Sequence, residues 1–104
     1  MKRNEIWWAE LPEPIGRRPV LLVSRDEAYQ VRQKVLVAAV TTTFRGTTTE
    51  IRLGPAEGLR KPSVVNVEDL FAIRKDCLLR RAGTLPRPKI AMVDDALKFA
   101  LALS

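Results

Sequence analysis

Two unbroken apolar runs, Val20–Val23 and Val35–Val40, place the tightest limit on what this chain can become. Each falls far short of the roughly 20 residues that a membrane span needs. Short valine-rich runs suit strands buried on both faces, here Val20–Ser24 and Val35–Thr43, the second shading into threonines. The flanking segments read as further strands. Glu5–Leu11 alternates Ile6 and Trp8 against Trp7 and Ala9, and Thr47–Leu53 alternates until Gly54-Pro55 stops it. Ser63–Val67, Phe71–Arg74 and Leu79–Thr84 are shorter candidates. Pro12–Gly16, with two prolines and a glycine, forces a loop; Ala56–Pro62 makes a turn, and Gln30–Lys34 a short helical turn. Only the C-terminus has a helical period. Pro88 suits a first helical position, and Ile90, Val93, Leu97, Ala100 and Leu101 follow at three- and four-residue intervals, widened by Met92, Ala96 and Leu103. About five to seven short strands closed by one helix predict a mainly β protein, a small SH3-like barrel with a C-terminal helix.

At 104 residues the expectation is one domain over 1–104 with a single core. No histidine and one cysteine are present, which excludes within one chain the usual zinc ligand sets, Ser-His-Asp and Cys-His sites, and any imidazole acid–base pair. No cofactor or metal is expected. Cys77 reads as a small buried hydrophobe. The N-terminal residues hold no apolar stretch of the kind a signal peptide requires, so the expected location is cytoplasmic, with no membrane partner.

Eighteen Lys and Arg against twelve Asp and Glu leave a net charge of +6, which favours a polyanionic partner. Arg74, Lys75, Arg80, Arg81, Arg87 and Lys89 cluster with only Asp76 opposed, and arginine's fork suits phosphate. Nucleic acid or an acidic protein tail would both fit. Glu57 and the adjacent Asp94-Asp95 read as solvated charges, since neighbouring helix positions do not face one another.

Two residues stand at the ends of the apolar runs. Pro19 biases Arg18 toward an extended backbone, holding its guanidinium at the mouth of the predicted barrel. Thr41 closes Val35–Val40 with a hydroxyl that can donate to phosphate without proton transfer. Taken singly, each could be an ordinary strand residue. Trp7 and Trp8 point to opposite faces, so one is expected in the core and the other at a dimer contact or against the helix, with stacking of an exposed ring on nucleic-acid bases as the alternative.

The order Trp-Trp-Ala-Glu-Leu, Pro/Gly loop, Arg-Arg-Pro-Val-Leu-Leu-Val-Ser, Val-Ala-Ala-Val-Thr, Gly58-Leu59-Arg-Lys-Pro-Ser63-Val-Val-Asn66 and apolar helix resembles the MazF/PemK toxin family from about Lys2 to Leu103. The resemblance implies the toxin half of a type II toxin–antitoxin pair. Such a toxin is a homodimeric, metal-independent endoribonuclease cutting single-stranded RNA at short sequences. It implies a partner antitoxin with an acidic, initially disordered tail, and DNA binding through the antitoxin complex. Catalytic roles would fall to Arg18 and Thr41, with Glu68 a weaker candidate for the base. RNA contacts would involve Gly16, Arg17 and Ser24, then Thr42, Thr43, Arg45 and Asn66. Three departures accompany it. Asn66 replaces an arginine found beside the carboxylate of relatives, Asn4 replaces a glycine, and the Pro12–Gly16 loop is short, which alters which bases are read. A CcdB-like toxin that binds gyrase and cuts nothing, and a non-catalytic SH3-like adaptor, are the alternatives.

Overall fold

A computed structural model describes the whole chain, Met1–Ser104. Its strands are β1 (Glu5–Leu11), β2 (Gly16–Leu22), β3 (Lys34–Thr41), β4 (Glu50–Leu53), β5 (Ser63–Arg74) and β6 (Leu78–Thr84). A four-residue helix α1 (Ala28–Val31) precedes β3, and helix α2 (Arg87–Ala100) ends the chain. The strands form one six-stranded antiparallel sheet in the order β4-β5-β3-β2-β1-β6. The sheet curls into a half-barrel with α2 packed against it, so the expected mainly β architecture with a closing helix is what forms.

The unbroken apolar runs follow from two separate cores. Leu21, Ala38 and Val40 enter a cluster with Ile6, Ile51, Val65 and Val67 that α2 covers through Val93, Ala96 and Leu97. Their neighbours Val20, Leu22, Val35 and Val37 enter a second cluster with Ala9, Leu11, Ile73 and Leu78, covered by Ala28 and Tyr29 of α1. Successive strand residues point to opposite faces, so burying both faces demands apolar residues at every position.

Several boundaries move. Ser63–Val67 and Phe71–Arg74 are one strand, because β5 bulges: from Val40↔Val65 to Ala38↔Leu70, β3 advances two residues while β5 advances five. An excess on one strand bends it and sharpens the local twist, which helps the sheet to curl. Thr47–Thr49 do not join β4, because the Glu50 carboxylate gathers the N–H groups of Arg45, Gly46 and Thr47 and folds them into a turn. The expected turn at Gln30–Lys34 lies earlier, as α1, where the Tyr29 hydroxyl donates to the Ser24 carbonyl at 3.1 Å. Arg87 rather than Pro88 opens α2, and Met92, Leu101 and Leu103 of the expected stripe are exposed. Asn4 does take the left-handed backbone (φ 74) that glycine would supply there. Cys77 is partly buried at the edge of the second cluster. No helix is long and apolar enough to cross a membrane.

Candidate functional site

The β1–β2 hairpin turns over Pro12–Ile15, with the Ile15 N–H bonded to the Pro12 carbonyl at 3.1 Å. Gly16 opens β2 at φ 68, a conformation glycine adopts without the penalty a side chain brings. Arg17 and Arg18 follow. The Val20↔Ala39 register, carried two residues further, sets Arg18 across from Thr41, the last residue of β3, and Arg17 across from Thr42. Alternation then gives Arg18 and Thr41 one face of the sheet and Arg17, Pro19, Val40 and Thr42 the other.

Residues from both faces meet at the strand ends, where a groove of about 660 Å³ is lined by Arg18, Thr41, their neighbours Arg17, Pro19 and Thr42, and by Trp8, Arg80 and Gly58–Lys61. Its lining holds Arg17, Arg18, Arg60, Lys61 and Arg80 and no acidic side chain. Arg17 Nε reaches Glu10 Oε1 at 3.1 Å on the rim, but Arg18 has no ion-pair partner. Thr41 Oγ1 accepts the Thr43 N–H at 3.1 Å, which leaves its own O–H free to donate outward. The Arg80 guanidinium lies 5.7 Å from the centroid of the Trp8 ring.

One wall of the groove is built on a buried charge. The 3-10 turn Pro55–Glu57 precedes the Gly58–Lys61 segment, and Glu57 within it is fully buried, not solvated. Its Oε1 accepts the Gly54 N–H at 2.7 Å and its Oε2 accepts Lys89 Nζ of α2 at 2.9 Å. Gly58 (φ 85) then passes so close to β6 that a Cβ would meet the Ala82 carbonyl oxygen at 1.9 Å. At Gly83 a Cβ would meet the Glu57 carbonyl oxygen at 2.3 Å. Backbone therefore lies directly on backbone, fixing Arg60 and Lys61 relative to Arg80.

The family model described as PemK-like, MazF-like toxin of type II toxin-antitoxin system matches residues 2–101. This chain belongs to the PemK/MazF toxin family. It is 37% identical over 100 residues to "Probable endoribonuclease MazF5" of Mycobacterium tuberculosis, covering 95% of this chain and 91% of that protein. The solved "Mycobacterium tuberculosis toxin MazF-mt6" is similar with a TM-score of 0.88 at 32% identity, over 96% of this chain and 98% of that one. A mycobacterial endoribonuclease solved in complex with its cognate antitoxin aligns with a TM-score of 0.89 at 26% identity, over 100% of this chain and 97% of that one.

Not every residue implied by the PemK/MazF resemblance reaches the groove. Arg17, Arg18, Thr41 and Thr42 line it; Gly16, Ser24, Thr43, Arg45, Asn66 and Glu68 do not. Ser24 Oγ accepts the Leu36 N–H at 2.8 Å and faces a different cavity, between α1 and α2. The Arg45 backbone is tied to Glu50. Asn66 Oδ1 accepts from Thr49 Oγ1 and from the Glu68 N–H, so it pins the β5 bulge. Glu68 is exposed on that bulge, outside the groove lining.

The basic cluster of this PemK/MazF chain is also less free than its composition implies. Arg74 is held by Asp76, Arg81 by Glu5 and Lys89 by Glu57, while Lys75 Nζ donates to the Tyr29 carbonyl. Asp94, expected to be solvated, pairs with Arg3 at 3.2 Å. Trp8 is half-buried in the groove lining, outside both core clusters; Trp7 packs half-buried on the second cluster with its indole N–H on Glu5 Oε1 at 2.9 Å. Arg60 and Lys61 were not singled out as site residues, yet a signal existed. Arg60-Lys61-Pro62 leads into the apolar start of β5 as Arg17-Arg18-Pro19 leads into the apolar run of β2, and both strands start at the same end of the sheet.

Proposed function

We propose that this MazF-type toxin is a metal-independent endoribonuclease that cuts single-stranded RNA at short sequences, with Arg18 and Thr41 as its catalytic residues. The observation that carries the reading is their placement across from one another at the rim of a cationic groove that holds no carboxylate. RNA backbone supplies the anion such a groove attracts. The ribose 2′-oxygen attacks the adjacent phosphorus, and the bond from phosphorus to the 5′-oxygen breaks. One fragment ends in a 2′,3′-cyclic phosphate, the other in a 5′-hydroxyl. Negative charge grows on the non-bridging oxygens, where Arg18 supplies a fixed fork and Thr41 a hydroxyl donor. Arginine's very high pKa makes it a poor base. The 2′-hydroxyl proton passes to solvent water, and the departing 5′-oxygen takes one from it. Glu68 lies on the β5 bulge and does not line the groove, so this reading gives it no part in the step.

The functional unit in this reading is a homodimer. Leu101 and Leu103, 52% and 60% exposed, line the cavity that Ser24 faces, an apolar surface that suits a second copy. Sedimentation should give twice the 11.7 kDa chain mass, and a strictly monomeric protein would contradict it. The partner is a cognate antitoxin whose acidic tail competes with RNA for Arg17, Arg60, Lys61 and Arg80.

The test is purified protein with end-labelled single-stranded RNA in EDTA, with fragment termini identified. Cleavage leaving 2′,3′-cyclic phosphate and 5′-hydroxyl ends is expected. Intact RNA together with inhibited gyrase would hand the chain to the CcdB-like reading.

A further inference from the structure

We propose that Trp8 and Arg80 form a stacking platform for one nucleobase beside the scissile phosphate, and so set the base preference of the cut. This rests on the endoribonuclease reading, and it concerns which base is read, not how the phosphate is attacked. Across four strands the register builds one row. Trp8 pairs with Pro19 on β2 and with Arg80 on β6, and Val40 lies next to Pro19 on β3. All four residues line the groove. Pro19 and the buried Val40 offer no side-chain hydrogen bond, so the row is apolar up to the Trp8 indole. The Arg80 guanidinium closes the row, 5.7 Å from that ring. Unlike Arg74 and Arg81 it has no carboxylate to hold it, so its plane is available as well.

Unpaired RNA bases stack on aromatic rings and on guanidinium planes with little demand on hydrogen bonding, and the preference such a platform imposes follows stacking strength, which favours purines. β1 is two strands from β3, which puts the platform about 10 Å from Thr41. A phosphate held at Arg18 and Thr41 thus leaves the platform to the base of an adjoining nucleotide. Trp7 cannot substitute, because it does not line the groove and its indole N–H is bonded to Glu5.

The experiment cleaves a random-sequence single-stranded RNA pool with wild type, Trp8→Phe, Trp8→Leu and Arg80→Gln, sequencing the cuts and measuring kcat/KM. A parallel arm uses the Trp7→Phe/Thr41→Ala protein, whose only indole is Trp8, titrated with short 2′-O-methyl oligoribonucleotides that cannot be cut. Trp8→Leu should lower kcat/KM about tenfold and flatten the preference at one position beside the cut. Trp8→Phe should keep that preference, and indole emission should be quenched on binding. Should Trp8→Leu fail to fold, the exposed Arg80→Gln carries the same comparison. Unchanged preference in both Trp8→Leu and Arg80→Gln would overturn the platform while leaving the endoribonuclease intact. Wild type that cuts no RNA would remove the endoribonuclease reading instead. Emission unmoved by bound oligonucleotide would then overturn the platform too, and quenching would support it.

Discussion

A guanidinium across from a hydroxyl on two paired strands can stabilise charge but cannot shuttle protons, and the kinetics should reflect that. Removing one donor to a developing oxyanion typically costs about 10²–10³-fold in rate. Arg18→Ala and Thr41→Ala should each fall by that order in kcat/KM while melting like wild type, since neither residue is in the buried core. Arg18→Lys should recover only part of the loss, because an ammonium is a point charge without the planar fork. The groove holds no Asp, Glu or histidine, so kcat/KM should rise with pH without an inflection between about pH 4 and 7. A clear inflection there, abolished by Glu68→Gln, would restore that carboxylate as the base.

The elements were legible to different depths, and the reasons are physical. Val20–Val23 and Val35–Val40 could be read as strands because burial on two faces leaves an unmistakable run of apolar residues. The fusion of Ser63–Val67 with Phe71–Arg74 could not, because the polar stretch Asn66-Val-Glu-Asp69 looks like a break. It is a bulge pinned by a side-chain amide instead. The burial of Glu57 was equally hidden, since it depends on Lys89, 32 residues away. Arg18 and Thr41 were legible from their places beside the two apolar runs, although Arg18 lies inside β2 and not before it; Arg80's meeting with Trp8 needed the β1–β6 register. These hidden contacts hold the groove wall. Lys89→Met would leave Glu57 buried without its partner, and should cost about 3–5 kcal/mol in urea unfolding. Gly58→Ala, forcing a Cβ against the Ala82 carbonyl, should also be strongly destabilising. At Gly16 the space is open, with Glu13 Oε1 the nearest atom at 3.7 Å. Alanine there should cost only about 1–2 kcal/mol of backbone strain. Equal losses at the two glycines would contradict the close packing of this wall on β6.

At the scale of the molecule, two groups set the pH window of stability. Burial pushes the Glu5 carboxyl up, but hydrogen bonds from Trp7 Nε1, the Lys2 N–H and Arg81 outweigh it, and the group titrates below its ordinary 4.5. A depressed carboxyl contributes stability that is whole above the unfolded value and is lost as pH falls through the folded one. Burial raises the Tyr29 hydroxyl from 10.0 to about 12, so its contribution is whole below 10 and lost as pH rises toward 12. Urea midpoints should therefore be flat between the two limits. Glu5→Gln should lower the neutral midpoint and shrink the drop on going to about pH 3.5. None of this bears on whether the molecule cuts RNA, which rests on one groove. The decisive measurement is to sequence the 5′-hydroxyl ends left in a complex single-stranded RNA pool by wild type and by Arg18→Ala, both in EDTA. Discrete short cut sites made by wild type and missing from Arg18→Ala are the predicted result. The same ends from both proteins, or none from wild type, would contradict a nuclease built on Arg18 and Thr41.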